Sequence, residues 1–296
     1  MNEYASKIGL GTAQWGMPYG VSNKLGQTPA KEIKRILKVA HSAGISLLDT
    51  ASLYGNAEQA LGESDLSSYR VITKTPKFGN DSVLKADTDD LVRTFNASLR
   101  NLGLNSVYGL LVHDVSDIFA PNGSNLLDAL EQLKFQGYAS KIGVSVYTSS
   151  QINKILDYCK PDIIQLPINV LDQRLIQDGT IAYLSGLGIE VHARSAFLQG
   201  LLLMQINDYM PKYFEPWLPL LSKWQSFCGD QLISPLHAAL GFVCGLKDIS
   251  YALVGVENQK QLKEILDNST TLNSFDFEQF ASDDLKLLDP SVWSLA

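Results

Sequence analysis

An acid, a phenol, an amine and an imidazole stand at or just after the ends of short apolar runs in this sequence: these are Asp49, Tyr54, Lys74 and His113. A phenol has a pKa of about 10 in water and is a poor acid at neutral pH, whereas a nearby ammonium favours the phenolate and lowers that pKa. Asp49 could hold Lys74 charged and in position. A neutral His113 could donate a hydrogen bond to a carbonyl oxygen beside Tyr54. Such a set would polarise a carbonyl group and protonate its oxygen.

These four side chains include no obvious nucleophile and no source of electrons. The missing reactant is therefore expected to be a cofactor that delivers hydride to the carbonyl carbon, and a nicotinamide fits that role. A Schiff-base aldolase that uses Lys74 as an amine nucleophile is an alternative. Asp49 argues against the aldolase, because a nearby carboxylate keeps a lysine charged.

A scaffold that brings these residues together is indicated by eight runs of β-favouring residues. The runs lie at residues 8–12, 45–49, 71–74, 108–113, 142–146, 163–167, 189–195 and 251–255. Most are continuously apolar, which is typical of parallel strands covered on both faces. Segments with helical spacing separate them, so the sequence predicts the α/β class and a (β/α)₈ TIM barrel, formed by one domain over residues 1–296.

The interval between the seventh and eighth runs is much longer than the others. Its segment 201–233 is rich in aromatic residues and contains several prolines. A solvated linker would be poor in aromatic residues. The sequence therefore predicts a folded insertion between strands 7 and 8 rather than a tether.

Composition and charge argue against several classes of partner. The 296 residues carry 24 Lys plus Arg against 31 Asp plus Glu, a formal charge of −7, without a basic run that could follow a nucleic acid or an anionic membrane. We expect no leader peptide, and no segment approaches the ~18 apolar residues that span a bilayer. The three cysteines lack CxxC spacing and the four histidines lack the spacing of metal ligands. We therefore expect a cytoplasmic protein without a bound metal.

Several motifs resemble the aldo-keto reductase family, and the resemblance runs nearly from end to end. The motifs are GLGTAQWG at 9–16, LDTASLYGNAE at 48–58, VITK at 71–74 and LLVHD at 110–114. The short C-terminal tail is similar to that of the compact bacterial-type branch. The resemblance implies reduction of an aldehyde or ketone with NAD(P)H, and it places the family's catalytic tetrad on Asp49, Tyr54, Lys74 and His113.

The same resemblance assigns residues to the cofactor. Ser145 and Gln165 match the residues that hold the nicotinamide carboxamide, although the asparagine that usually follows the serine is here Val146. Phe197 matches an aromatic residue that stacks on the nicotinamide. The complete set implied for the cofactor is Gly11, Thr12, Ser145, Gln165, Arg194, Ser195, Phe197, Leu198, Gly200, Gly255, Glu257, Gln261 and Glu264.

The type of coenzyme is less well specified than its site. The family habit favours NADP(H), but the arginine or lysine that usually engages the 2′-phosphate is replaced by Glu257 and Asn258. A carboxylate would repel that phosphate, so NAD(H) is the alternative.

The substrate is indicated only by aromatic residues near the strand ends. Trp15, Tyr19 and Tyr147 could wall an apolar pocket for an aldehyde or a sugar-derived carbonyl compound. Since some relatives in this family bind nicotinamide tightly and seldom turn over, a redox-sensing protein is a further alternative. The sequence gives no indication of the oligomeric state.

Overall fold

Eight parallel strands close into a barrel in the order in which they occur along the chain. The structure, a computed structural model, describes residues 4–207, 210–267 and 275–294. The strands are β1 (Ile8–Gly11), β2 (Leu47–Asp49), β3 (Arg70–Lys74), β4 (Val107–Val112), β5 (Ala139–Ser145), β6 (Ile163–Pro167), β7 (Glu190–Arg194) and β8 (Tyr251–Gly255). The predicted (β/α)₈ barrel is therefore confirmed.

Helices connect the strands and cover the outside of the barrel. The described α-helices are α1 (Ala13–Gly16), α2 (Ala30–Ala43), α3 (Ala57–Gly62), α4 (Lys85–Leu102), α5 (Ser116–Phe119), α6 (Ser124–Phe135), α7 (Ser149–Tyr158), α8 (Arg174–Gln177), α9 (Thr180–Gly186), α10 (Leu218–Asp230), α11 (Pro235–Gly245), α12 (Gln259–Asp267) and α13 (Leu285–Leu288). Short 3₁₀ helices lie at Ala5–Lys7, Leu198–Leu203, Lys212–Trp217, Glu278–Phe280 and Pro290–Val292.

Glycines end the long helices before the next strand begins. The helices α2 and α4 stop at Gly44 and Gly103, whose φ values of 85° and 65° lie in the left-handed region. That conformation satisfies the last carbonyl groups of a helix without a steric penalty when the residue is glycine. The chain can therefore reverse its direction within a short turn and enter the next strand, which runs parallel to the preceding strand.

Apolar side chains fill the space inside the barrel and the space between barrel and helices. The interior cluster consists of Leu47, Ile72, Leu111, Ile163, Tyr251 and Leu253. A larger cluster joins the outward-facing strand residues to the helices. The polar residues predicted for the site lie at the other end of this apolar layer, at or just after the C-terminal ends of the strands, where barrels of this type hold their active sites.

The segment between β7 and β8 is folded, as predicted. It contributes the 3₁₀ helix Lys212–Trp217 and α10, and residues 208 and 209 lie outside the described residues. The indole N–H of Trp224, which is 1% exposed, donates to the carbonyl oxygen of Leu202 at 3.0 Å. The indole N–H of Trp217 donates to Asp284 at 2.9 Å. The insertion therefore packs against the C-terminal segment instead of acting as a tether.

Candidate active site

The C-terminal ends of the strands open into a cavity of about 530 Å³, which is within the usual range for a small-molecule site. Most of the residues predicted from the sequence line it. They are Gly11, Thr12, Tyr19, Asp49, Tyr54, Lys74, His113, Ser145, Tyr147, Gln165, Arg194, Ser195, Phe197, Gly200, Gly255, Glu257, Gln261 and Glu264.

Lys74 and Asp49 form a buried ion pair at the ends of β3 and β2. The Lys74 Nζ lies 2.7 Å from Oδ2 of Asp49 and donates to the carbonyl oxygen of Thr50 at 3.0 Å. The two side chains are only 1% and 6% exposed. Burial lowers the pKa of Lys74, but the electrostatic attraction and hydrogen bonds of Asp49 and Tyr54 together outweigh burial and hold that pKa above its usual value. Lys74 is therefore charged at neutral pH.

The hydroxyl of Tyr54 lies beside this ammonium, in the loop between β2 and α3. The Lys74 Nζ is 3.5 Å from Tyr54 Oη and 5.0 Å from the centre of the ring. The loop packs closely against Gly16, because a Cβ added there would overlap the carbonyl oxygen of Tyr54. Gly55, with a φ of 56°, faces Gly16 from the other side. Two glycines therefore fix where the phenol stands.

His113 follows β4 directly and meets Tyr54 edge-on. The ring centroids are 5.9 Å apart and the rings are inclined at 86°. The main-chain N–H of His113 donates to Oγ1 of Thr75 at 3.2 Å, which holds the backbone at this point. Burial, followed by the positive charges of neighbouring Lys and Arg side chains, lowers the pKa of His113 to about 3. The imidazole is therefore neutral at physiological pH and can donate a hydrogen bond to a carbonyl oxygen.

We expect His113 to make the fold less stable as the pH falls. Its pKa of about 3 in the folded protein lies below the unfolded value of about 6.5, so the unfolded chain takes up the proton first. The stabilising contribution is fully present above pH ~6.5 and is lost as the pH falls from there toward ~3. Urea unfolding at several pH values tests this. Between about pH 7 and pH 5, the wild type should lose more free energy of unfolding than His113→Asn, and equal losses would contradict a buried neutral imidazole.

Gln165 and Ser145 stand side by side at the ends of β6 and β5, where they are paired in register. The amide nitrogen of Gln165 donates to Oδ1 of Asp49 at 2.7 Å, so Gln165 orients the acid of the ion pair. Val146 is fully buried, and its carbonyl oxygen accepts from Arg194 at 3.2 Å. A carboxamide at this point could be held by the Ser145 hydroxyl and the Gln165 amide oxygen, but not by the side chain of Val146.

The chain turns sharply after β7 and forms one wall of the cavity. Ser195, Gln199 and Gly200 have φ values of 62°, 53° and 92°. A non-glycine residue in the left-handed region persists only where its surroundings hold it there. Here the side-chain amide of Asn169 donates to the carbonyl oxygen of Ser195 at 3.2 Å. The main-chain N–H of Val21 donates to the carbonyl oxygen of Gln199 at 3.0 Å. These bonds tie the wall to the loop after β6 and to the first loop of the barrel.

Arg194 brings positive charge to the same wall. Its guanidinium lies 4.1 Å from the ring centre of Tyr147. Within the described residues, no carboxylate is close enough to form a salt bridge with Arg194. The guanidinium is therefore available to an anionic part of a ligand.

Two of the predicted site residues do not line the cavity. Trp15 is fully buried in the core, and its indole N–H donates to the carbonyl oxygen of Val256 at 3.0 Å. The predicted contact of Trp15 with the substrate is therefore not seen, because the side chain is packed in the core. Leu198 has a φ of 47°, and its side chain is packed in the cluster under the insertion. Its predicted contact with the cofactor is likewise not seen for the side chain.

The structure adds cavity residues that the sequence did not point to, among them Gln14, Ser22 and Lys77. Gln14 packs against Gly255, where an added Cβ would overlap the Gln14 amide. Lys77 lies beside Asp114, with Nζ 3.6 Å from Oδ2. Lys77 lies in the loop after β3, three residues beyond Lys74 at the end of that strand, and this short spacing is the sequence feature that could have indicated it. Ser22 comes into place only through the packing of the first loop on Gly200.

The described residues contain neither a candidate metal site nor a candidate membrane-spanning helix. No group of three or more His, Cys, Asp or Glu side chains there is arranged to hold a metal ion. No helix in that part of the chain is both long and apolar enough to cross a membrane.

The sequence matches a known protein family over most of its length. The model of the Aldo/keto reductase family matches residues 7–289, which is nearly the whole chain. The chain belongs to the aldo/keto reductase family. This reductase is therefore a nicotinamide-dependent oxidoreductase, and the resemblance read from the four motifs is confirmed.

Two curated relatives of this aldo/keto reductase match over most of their length. An NADH-specific methylglyoxal reductase of Escherichia coli (strain K12) is 27% identical over 292 residues, which cover 88% of either chain. An L-galactose dehydrogenase of Arabidopsis thaliana is 25% identical, covering 93% of this chain and 87% of that protein.

Solved structures share the fold of this reductase. An aldo-keto reductase from Bacillus halodurans, in its holo form, matches with a TM-score of 0.72 and 19% identity, covering 97% of this chain and 93% of that one. A glycerol dehydrogenase from Gluconobacter oxydans matches with a TM-score of 0.70 and 20% identity, covering 96% and 92%. At these identities the likeness supports the barrel alone.

The cavity of this reductase fits the nicotinamide coenzyme that the family uses. Amide and hydroxyl groups of Gln165 and Ser145 border it near Tyr54, and the Arg194 guanidinium borders it on the β7 side. The turn after β8 and the start of α12 border it as well. The Gln165 and Ser145 groups suit a carboxamide and the Arg194 guanidinium suits a pyrophosphate, so the residues present can hold such a group.

Proposed function

We propose that this reductase converts a small aldehyde or ketone into an alcohol, with Tyr54 as the proton donor. The observation that carries the proposal is the continuous chain from Gln165 through Asp49 and Lys74 to Tyr54, with contacts of 2.7, 2.7 and 3.5 Å. His113 stands at 5.9 Å from the Tyr54 ring, between centroids, and completes the set.

Each side chain has a separate task in the proposed reaction. The reduced nicotinamide supplies hydride to the carbonyl carbon when it is bound. Tyr54 gives its hydroxyl proton to the carbonyl oxygen, and the charged Lys74 stabilises the phenolate left behind. Asp49 holds Lys74 charged, while the neutral His113 donates a hydrogen bond that orients the carbonyl.

The names of the relatives suggest a small, oxygen-rich substrate. One relative acts on methylglyoxal and the other on L-galactose. Tyr19, Tyr147 and Leu236 give this cavity an aromatic and apolar border, which suits a short aldehyde or a sugar-derived carbonyl compound. The family resemblance favours NADP(H), whereas the NADH-specific relative favours NAD(H).

The charge state of Lys74 disfavours the aldolase alternative. A Schiff base needs a neutral amine, and Lys74 is held charged by Asp49 at 2.7 Å. A redox sensor would bind coenzyme without steady turnover, so kinetics separates it from a reductase.

Titration of the purified protein with NADH and NADPH, followed by turnover of methylglyoxal, tests the proposed function. We expect nicotinamide fluorescence to change on binding and the reduced coenzyme to be consumed only when the aldehyde is present. A coenzyme that binds but is never consumed with any member of a carbonyl panel would support the sensor instead. Failure to bind either coenzyme would overturn the proposal.

A further inference from the structure

The cavity extends from the catalytic residues to the start of α12. Among the described residues of the segment 255–267, those that border it are Gly255, Glu257, Gln261, Glu264 and Ile265. Two of these five carry a carboxylate, and none is a lysine or an arginine. A coenzyme whose nicotinamide lies beside Tyr54 and whose adenosine reaches this turn would therefore meet an acidic environment there.

The first amide groups of α12 are already engaged. The start of a helix can bind phosphate because its first N–H groups lack partners within the helix. Here the N–H of Gln259 donates to Oε1 of Glu32 at 2.9 Å. The N–H groups of Lys260 and Gln261 both donate to Oδ1 of Asn258 at 3.0 Å. A phosphate at this helix would have to displace protein groups that already satisfy these amides.

Glu32 adds a negative charge from a distant part of the chain. It lies in the first turn of α2, 227 positions before its partner Gln259. The hydrogen bond from that backbone N–H is the main cause that lowers the pKa of Glu32, and Arg35 contributes as well. Glu32 is therefore a carboxylate, and it occupies the positive end of the α12 dipole that an anion of a ligand would otherwise use.

Glu257 places a second carboxylate at the border of the cavity. Its N–H donates to Oε1 of Gln261 at 2.7 Å, and the Gln261 amide nitrogen lies 3.4 Å from Glu257 Oε2. Gln261 is thus turned toward Glu257 and presents no charge of its own.

Two cations near this turn are paired with carboxylates, and a third, Lys263, is exposed on α12 and does not border the cavity. Arg35 donates to Glu32 at 3.0 Å. Lys260 is 3.9 Å from Glu264, and its side chain is 86% exposed, which leaves its charge well screened by water. Neither pairing leaves a buried cation facing the cavity.

We propose that Glu32 and Glu257 make this reductase select NAD(H) by excluding the 2′-phosphate of NADP(H). This inference rests on the proposed function, because it concerns the coenzyme of the same site. A carboxylate accepts hydrogen bonds from the hydroxyl groups of an adenosine ribose, as acidic residues do in other dinucleotide sites. A phosphate on that ribose brings two negative charges toward fixed negative charges and amides that are already occupied. We therefore expect this reductase to use NAD(H) rather than the NADP(H) that the family resemblance implies.

Binding measurements on two conservative variants test the selectivity without relying on turnover. The dissociation constants of NADH and NADPH are measured by fluorescence titration for the wild type, Glu257→Gln and Glu32→Gln. We expect the wild type to bind NADH at least roughly tenfold more tightly than NADPH, and each variant to narrow that ratio several-fold. A glutamine at position 32 can still accept from the Gln259 N–H, so this variant removes charge while keeping the cap. Glu131→Gln, on the exposed side of α6, is the matched control and should leave the ratio unchanged.

A pair of probes tests the same point on the wild-type protein alone. Adenosine 5′-monophosphate and adenosine 2′,5′-bisphosphate differ only by the 2′-phosphate, and each is used to displace bound NADH. We expect the bisphosphate to compete roughly tenfold less well. This arm does not depend on the folding of any variant.

Three results would overturn the selectivity proposal: tighter binding of NADPH than NADH by the wild type, an unchanged ratio in both glutamine variants, or better competition by the bisphosphate. If NADPH binds more tightly and methylglyoxal is still reduced, the selectivity fails while the proposed function stands. If neither coenzyme binds, the proposed function itself fails.

Discussion

Replacing Tyr54 with phenylalanine should lower kcat for carbonyl reduction by about three orders of magnitude, the middle of the range for loss of a general acid. The change removes only the hydroxyl that lies 3.5 Å from the Lys74 ammonium. The ring and its edge-on contact with His113 remain possible, so the dissociation constant for the reduced coenzyme should change less than about threefold. Steady-state kinetics and fluorescence titration on the same preparation measure both quantities.

A second tyrosine provides the control for this substitution. Tyr183 lies on α9 with 56% of its surface exposed, and it does not line the cavity. Tyr183→Phe should keep the wild-type rate. If Tyr54→Phe also keeps it, Tyr54 is not the proton donor and the assignment of the acid is wrong.

Replacing Lys74 with methionine should abolish measurable turnover and lower the free energy of unfolding by about 3–5 kcal/mol, the usual cost of removing one partner of a buried ion pair. The reason is that the Asp49 carboxyl group, at 6% exposure, would lose its ammonium partner and retain the hydrogen bond from Gln165. Urea unfolding and coenzyme-dependent kinetics measure the two effects.

A double-mutant cycle separates the ion pair from loss of the lysine itself. In Asp49→Asn combined with Lys74→Met, no buried carboxylate is left without its partner. The double variant should therefore be more stable than the sum of the two single changes predicts, by about 1–3 kcal/mol. Additive effects would show that the two groups do not depend on each other.

The order of strands and the four catalytic candidates could be predicted from the sequence for one physical reason. Parallel strands wound in chain order bring their C-terminal ends to the same rim, so residues at successive strand ends become neighbours. Asp49, Lys74 and His113 are such residues, and the structure brings them together with Tyr54 in one cavity. Their catalytic roles remain predictions that the variants above can test.

The direction of individual side chains could not be predicted in the same way. Trp15 lies within the first motif, yet the packing of α1 turns its indole into the core. Leu198 follows β7 as expected, but its positive φ carries the side chain under the insertion. Both depend on how a loop folds after its strand, and no periodicity in the sequence encodes that.

Contacts between distant parts of the chain were also beyond the sequence pattern. Gln165 orients Asp49 across 116 positions, and Glu32 reaches the start of α12 across 227. No short sequence motif at either residue indicates its partner. The acidic character of the α12 turn was visible at Glu257, whereas the occupied amides became apparent only with the fold.

Isotope labelling shows directly whether hydride passes from the coenzyme to the carbonyl carbon of the substrate. The protein is mixed with methylglyoxal and a reduced coenzyme dideuterated at the nicotinamide C4, and the alcohol is analysed by mass spectrometry and NMR. If the coenzyme supplies hydride and Tyr54 supplies the proton, the product carries one deuterium on the former carbonyl carbon. Its hydroxyl hydrogen then comes from exchangeable protein and solvent sites. An alcohol without deuterium on that carbon would contradict the account.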